Sequence, residues 1–373
     1  MNAILIIVKT GLWRLPWPLL LMVTGLATIG FTMLYSAAGG DLSHWAQPQM
    51  MRFGAGFVMM IIIAVLPNSI WLRYAYVIYG CVMLLLLYVE ISGHIGMGAQ
   101  RWINLGFMTL QPSEIAKIAT ILALARYFHH FPPLRYTTLY YLAAPLALIL
   151  LPVSFILKQP NLGTATLLSG IAAWMMFAAG VHRRYFIIAV LAVLAATPVV
   201  WQSLHAYQKQ RVMTFLNPSE DPLGSGYNIA QSIIAIGSGG MSGKGLMHGS
   251  QTQLDFLPEK QTDFIFTVLA EEFGFMGGSG VIGIYTLMIL CIIGIAYHSN
   301  SLFGRLVAHG VAAMLCLHLF INIGMVMGLL PVVGIPLPLL SYGGSIMISV
   351  LAACGLAMNS WVYRAEKLGN SRI

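Results

Sequence analysis

Charged side chains are scarce in this sequence. Asp, Glu, Lys and Arg make up only 8% of its 373 residues, whereas 58% are hydrophobic and the mean hydropathy is +0.82. Soluble domains carry roughly 25% charged residues, so 19 basic and 11 acidic side chains cannot cover a soluble globule of this size. The composition excludes a soluble enzyme and predicts a polytopic membrane protein.

Cysteine is also rare, and the basic residues do not cluster. Cys81, Cys291, Cys316 and Cys354 all lie in apolar runs without metal-ligand spacing, so the sequence predicts neither a disulfide framework nor a metal site. The formal charge of +8 is scattered between apolar runs. Membrane topology therefore explains this charge better than nucleic-acid binding does.

Long apolar runs are what the sequence does contain. A transmembrane helix takes about 20 apolar residues, and polar, proline or glycine residues separate runs of about that length. The runs cover residues 16–37, 49–66, 70–91, 112–130, 137–157, 163–181, 185–204, 263–297, 306–331 and 343–363. We expect one all-α domain over residues 1–373, with about ten transmembrane helices and one long loop at about 204–262.

The distribution of Lys and Arg predicts the orientation. With ten spans, both termini lie on one side, together with eleven basic residues and only one acid, Glu366. Cytoplasmic loops are enriched in Lys and Arg, so both termini are predicted to be cytoplasmic. The long loop and all the other acids then lie on the external side. The basic residues of the cytoplasmic side are Lys9, Arg14, Arg73, Arg126, Arg135, Arg183, Arg184, Arg305, Arg364, Lys367 and Arg372.

The first candidate constellation surrounds the start of the fourth span. Arg101 and Trp102 precede it, and Glu114 and Lys117 lie three residues apart within it, on one helical face. Trp102 is either an interfacial anchor or a substrate contact. The two charged residues are either a structural ion pair or part of a cavity, and ionisable groups at membrane depth favour the cavity.

The second constellation is the external turn between the fifth and sixth spans. Lys158 lies where the positive-inside bias disfavours a base, so we expect it either to bind an anionic ligand or to extend to the interface. Asn161 can cap the helix that begins near Gly163.

The third constellation is the long external loop, which contains Arg211 and ends at Asp263. Its glycine-rich part resembles a P-loop, but Ser238 occupies the first glycine position and Gly245 replaces the Ser or Thr after Lys244, so we reject that assignment. We expect Thr262 to cap the next helix and to bring Asp263 to the membrane surface, either as a helix-dipole charge or as a functional carboxylate.

A proline-rich and glycine-rich break separates the last two spans, over residues 328–345. Non-helical backbone near membrane depth must be buried in protein or line a cavity. We therefore expect this segment to form a rigid wall of the same external cavity.

These segments, in this order, resemble the SEDS family (shape, elongation, division and sporulation) of integral-membrane peptidoglycan glycosyltransferases. The resemblance extends from about residue 16 to 362. It rests on Gln-Arg-Trp-Ile followed by Gln-Pro-Ser-Glu, on Thr-Asp-Phe-Ile-Phe followed by Glu-Glu, and on Pro-Leu-Pro followed by Ser-Tyr-Gly-Gly-Ser. The short amino terminus, Phe-Leu-Pro-Glu before Thr-Asp, and Leu-Pro-Val-Val-Gly-Ile-Pro favour the cell-elongation branch over the division branch.

The resemblance implies roles for individual residues. Asp263 matches the family's catalytic aspartate, and the external-cavity residues match Arg101, Trp102, Glu114 and Lys117. Asn161 departs from the pattern, because the family commonly has Asp there. The cations that stabilise the leaving pyrophosphate would come from Arg101, Lys117, Lys158 or Arg211.

The implied function is polymerisation of lipid II into glycan strands on the external face of the bacterial inner membrane, during elongation and rod-shape maintenance. The implied partners are a cognate class B penicillin-binding protein and other membrane proteins of the elongation complex. No cofactor is predicted, and a divalent-cation requirement stays open. The alternatives are a lipid II flippase, which should have polar groups along its whole path, and a non-catalytic scaffold.

Overall fold

The chain folds into a helical bundle, in agreement with the predicted all-α class. The computed structural model describes residues 12–96, 99–104, 106, 109–131, 139–203, 209, 213–215, 225–254 and 256–368. Its helices are α1 Trp17–Ala37, α2 Ala46–Val65, α3 Asn68–Ser92, α4 Pro112–His130, α5 Leu139–Lys158, α6 Leu162–Ala178, α7 Arg183–Ser203, α8 Ser225–Ser238, α9 Ser250–Gln253, α10 Ile265–His298, α11 Leu302–Val326 and α12 Gly344–Val362. Each predicted apolar run overlaps one of these helices, and the two short ones, α8 and α9, lie in the long loop.

Seven of the described helices are long and apolar enough to cross a membrane: α1, α2, α3, α5, α10, α11 and α12. Helix α6 is apolar but has 17 residues, and α4 carries buried charged side chains. The multi-pass class is therefore confirmed, whereas the count of ten spans and their direction stay predictions.

The outer surface of the bundle is apolar. On α7, Ile188, Leu191 and Leu194 are each more than half exposed. A contiguous apolar surface of this kind marks contact with a membrane or with another protein rather than with water.

Helices α4, α11 and α12 form the centre of the bundle, since most of their side chains are buried. Helix α11 packs against α4, α6, α10 and α12. This central position lets one face of α11 reach both the start of α10 and the segment that follows α11.

A small antiparallel sheet precedes α4 and was not expected from the sequence. Its strands are β1 His94–Gly96, β2 Ala99–Asn104 and β3 Thr109–Leu110, in the order β1-β2-β3. Strand β2 contacts α3 and α4. The sheet thereby places the Arg101 and Trp102 side chains beside the start of α4.

Helix α10 is broken near its start, and the glycine-rich loop before it fills the break. Gly274 has φ +63° and ψ −159°, which interrupts the helical hydrogen bonding. The Lys244 N–H donates to the Glu271 carbonyl at 3.1 Å, and the Phe275 N–H donates to the Gly240 carbonyl at 2.8 Å. The loop thus satisfies backbone groups that the break leaves open, as burial in a membrane protein requires.

Candidate functional site

A cavity of about 700 Å³ opens at one end of the bundle, which we call the cavity end. Five of the predicted site residues line it: Arg101, Trp102, Glu114, Asn161 and Asp263. They come from β2, α4, the turn before α6 and the segment before α10. Residues far apart in the sequence therefore line one cavity.

Three of the basic residues predicted to be cytoplasmic, Arg73, Arg126 and Arg364, lie at the opposite end. Lys9, Arg135 and Arg372 lie outside the described residues. An Arg126 guanidinium N–H donates to the Arg73 carbonyl at 2.5 Å, and the Asn300 N–H donates to the Arg364 carbonyl at 2.9 Å. Arg126 follows Glu114 by twelve residues on α4, which corresponds to about 18 Å along a helix. These three residues are therefore remote from Glu114, and the side of the membrane that each end faces stays a prediction.

Asp263 lies two residues before α10, and its neighbour Thr262 does not cap that helix. The expected cap was wrong because the Thr262 hydroxyl donates to the Glu259 carboxylate at 3.0 Å instead. The N-cap position belongs to Phe264, whose side chain makes no capping bond. The Asp263 carbonyl accepts a hydrogen bond from the Asn322 side chain at 3.0 Å.

Glu114 and Lys117 form an ion pair, at 2.9 Å. Both are buried, and only Glu114 lines the cavity. Lys117 Nζ lies 2.9 Å from each Glu114 carboxylate oxygen and 2.9 Å from His318 Nε2. An ammonium group has three N–H donors, so these contacts account for all of them.

Arg101 and Asn161 together build the turn between α5 and α6. The Arg101 guanidinium donates to the Gln159 carbonyl at 2.8 Å and to the Pro160 carbonyl at 2.5 Å. The Asn161 side chain accepts from the Thr164 N–H at 3.2 Å, which is the predicted N-cap. The turn is therefore held both from the sheet and from its own helix.

Besides Lys117, the predicted site residue Lys158 does not line the cavity. Lys158 makes an exposed ion pair with Glu90 at 3.2 Å. Arg211 lies outside the described residues.

The segment between α11 and α12 forms a wall of the cavity, as predicted. Gly334 and Tyr342 line it. The Tyr342 N–H donates to the Gln261 carbonyl at 2.8 Å, and the Gln49 side chain donates to the Ser341 carbonyl at 3.0 Å. The wall is therefore fixed both to α2 and to the residues just before Asp263.

Sequence reasoning missed several lining residues, notably Arg52, Glu259 and His318. Arg52 lies over the Tyr342 ring, 4.9 Å from its centroid, and its buried Nη1 has no hydrogen-bond partner within the described part of the chain. A titratable side chain in an apolar helix, such as His318 in α11, is a signal that could have identified it. Among the described residues, no three His, Cys, Asp or Glu side chains could hold a metal ion.

The sequence matches the model of the FtsW/RodA/SpoVE family, described as cell cycle proteins, over residues 17–366. The peptidoglycan glycosyltransferase MrdB of Escherichia coli is 42% identical over 349 residues, which cover 93% of each chain. The peptidoglycan glycosyltransferase RodA of Treponema pallidum is 34% identical, over 91% of this chain and 96% of its own. Stage V sporulation protein E of Bacillus subtilis is 36% identical, over 90% of this chain and 93% of its own.

Solved structures show the same fold. A chain of a peptidoglycan synthase complex that coordinates polymerization and crosslinking matches with a TM-score of 0.82 and 31% identity, over 95% of this chain and 99% of that chain. The rod shape determining protein RodA of Thermus thermophilus matches with a TM-score of 0.72 and 29% identity, over 95% of this chain and 98% of that chain. The chain therefore belongs to the FtsW/RodA/SpoVE family, which is the SEDS family that its motifs predict.

Proposed function

We propose that this chain is a peptidoglycan glycosyltransferase that polymerises lipid II during cell elongation, with Asp263 as its general base. The observation that carries the proposal is one cavity lined by an acid, Asp263, and by two bases, Arg52 and Arg101. A weak sugar nucleophile and an anionic leaving group need these two kinds of residue. The activity in the names of the MrdB and RodA relatives supports the same reaction.

The reaction is a single displacement at the anomeric carbon of the growing glycan. The 4-hydroxyl oxygen of the incoming GlcNAc bonds to that carbon, Asp263 accepts the hydroxyl proton, and the bond to the lipid pyrophosphate breaks. The electron pair leaves with the pyrophosphate, and the configuration inverts. One carboxylate suffices for this step, because general-base catalysis raises the nucleophilicity of a hydroxyl group without a covalent intermediate.

Arg52 and Arg101 are the cations best placed for the pyrophosphate. Arg101 is oriented by two backbone carbonyls, and Arg52 by the ring of Tyr342. Guanidinium groups suit phosphate oxygens because they donate in a planar fork. Lys117 already uses its three N–H groups within the protein, so we assign it to the support of Glu114 rather than to the substrate.

The proposed location is the bacterial inner membrane, with the cavity end on the external side. The lipid tail then stays in the bilayer while the sugars enter the cavity. We propose a class B penicillin-binding protein as the partner that crosslinks the glycan, alongside other elongation-complex membrane proteins. The similarity to a synthase complex that couples polymerization to crosslinking supports this pairing.

The test uses the purified full-length chain with its partner in liposomes and fluorescently labelled lipid II. We expect glycan polymer, resolved by length on a gel after the partner's transpeptidase is blocked with penicillin. Transfer of label across the bilayer without polymer would identify a flippase instead. If neither polymer nor transfer of label is detected, the chain is a scaffold.

A further inference from the structure

Two polar residues of α11, His318 and Asn322, lie one helical turn apart and face the cavity wall. Both are buried, with 1% and 0% of their surface exposed. The Asn322 amide nitrogen lies 3.0 Å from the Asp263 carbonyl and 2.8 Å from the Ile335 carbonyl. Carbonyl oxygens only accept hydrogen bonds, so the NH2 group must face them and the orientation of the side chain is fixed.

His318 joins the same wall to the buried ion pair. Its Nε2 lies 2.9 Å from Lys117 Nζ, and its Nδ1 lies 3.2 Å from the Pro336 carbonyl. Because an ammonium group only donates, Nε2 accepts, and Nδ1 carries the proton that is donated to Pro336. A continuous chain of hydrogen bonds therefore runs from Glu114 through Lys117 and His318 to the wall.

The two side chains hold adjacent carbonyls of the wall, those of Ile335 and Pro336, while Asn322 also holds the backbone of Asp263. On the other side of Asp263, its carboxylate oxygen Oδ2 lies 3.3 Å from the Cβ position of Gly334. One turn of α11 therefore fixes the distance between the Asp263 backbone and the wall that its carboxylate meets.

We propose that His318 and Asn322 are positioning residues, a pair that we call the α11 clamp. The clamp sets the position of Asp263 against the wall and couples it to the Glu114–Lys117 pair. This inference rests on the proposed function of Asp263 as the base. Displacement of a catalytic group by about 1 Å can lower a rate by about 10²-fold, so loss of the clamp should lower kcat more than it raises KM.

The first arm of the test compares His318→Gln with His318→Met. Glutamine has a carbonyl oxygen that accepts and an NH2 group that donates, so it can replace both ring nitrogens, whereas methionine fills the space and donates nothing. We expect His318→Gln to keep kcat within about tenfold of wild type and His318→Met to lose about 10²-fold, with KM for lipid II nearly unchanged. Rescue by glutamine is an outcome that a purely space-filling role would not produce.

The second arm compares Asn322→Leu with Asn359→Leu. Asn359 is equally buried, with 1% exposed, and donates to the carbonyls of Ile63 and Ala64 on α2, at the opposite end of the bundle. Both variants lose amide hydrogen bonds to backbone, but only Asn322→Leu should lose about 10²-fold in kcat. Thermal unfolding in detergent reports the stability of each variant.

The outcomes separate the two hypotheses. If wild type polymerises lipid II and either His318→Met or Asn322→Leu keeps its kcat, the clamp is wrong and the proposed function stands. Equal kcat losses in Asn322→Leu and Asn359→Leu would also overturn the clamp. If the variants of one arm do not fold, the kcat values of the other arm decide whether the clamp is correct. A wild type that makes no polymer overturns the proposed function and the catalytic purpose of the clamp together.

Discussion

The carboxylate of Asp263 lies beside Gly334, since Asp263 Oδ2 is 3.3 Å from the position that a Cβ atom on Gly334 would occupy. Gly334 also has φ +69°, a left-handed conformation that a side chain destabilises by about 1–2 kcal/mol. The wall therefore lies beside the proposed base at a residue where a methyl group would crowd the carboxylate.

Gly334→Ala should accordingly reduce polymerisation by moving either the wall or the carboxylate. Gly180→Ala is the matched control, since Gly180 has φ +90° but no atom within 4 Å of its Cβ position. Both variants carry similar backbone strain, so thermal unfolding should shift alike while lipid II turnover falls only in Gly334→Ala. Equal turnover in the two variants would contradict the proposed contact.

Asp263→Asn keeps the shape of the side chain and removes its basicity. We expect polymerisation to fall by about 10²-fold or more, with normal insertion and thermal stability. Glu366→Gln is the control, because Glu366 follows α12 at the opposite end from the cavity and should tolerate loss of its charge. Near-normal synthesis by a well-folded Asp263→Asn protein would refute the assignment.

Variants of the Glu114–Lys117 pair should differ in stability but not in activity. Lys117→Met leaves the Glu114 carboxylate buried without its cation, which costs about 3–5 kcal/mol. Adding Glu114→Gln removes that charge, so the double variant should recover most of its unfolding temperature. Polymerisation should stay low in both, since the link from Glu114 to His318 is broken. An active double variant would show that the pair is only structural.

Asn161 tests the position at which the chain departs from its family. Asn161→Asp keeps the acceptor that caps α6, so turnover should change within roughly tenfold, about 1.4 kcal/mol of barrier. Asn161→Ala removes the cap and should lower the free energy of unfolding by about 1 kcal/mol. An inert wild type that Asn161→Asp activates would instead identify a degenerate or regulatory member.

Lys158 should be dispensable if its contact with Glu90 is all that it provides. Its side chain is 65% exposed, and exposed ion pairs contribute about 0–1 kcal/mol. Lys158→Gln should therefore leave both stability and KM for lipid II nearly unchanged, whereas Arg101→Gln should raise KM. A comparable rise in KM for Lys158→Gln would support the anionic-ligand role that the sequence predicts.

The sequence alone identified the family and the helices because both depend on local order. Apolar runs of membrane length located the helices, and contiguous motifs identified Asp263, Arg101 and Glu114 as candidate site residues. It did not predict the sheet before α4 or the break at Gly274, since each depends on backbone groups that find partners elsewhere in the chain.

Which side chains meet was decided only by the tertiary structure. Lys117 and His318 are 201 residues apart, and nothing in either local sequence states that α4 and α11 are neighbours. Lys158 is the opposite case. Its position in the sequence suggested that it belongs to the site, whereas in the folded chain it forms an ion pair with Glu90. Hydrophobicity selects membrane helices from local sequence, whereas hydrogen bonds between helices depend on how the helices pack, and here packing decides how Asp263 is held.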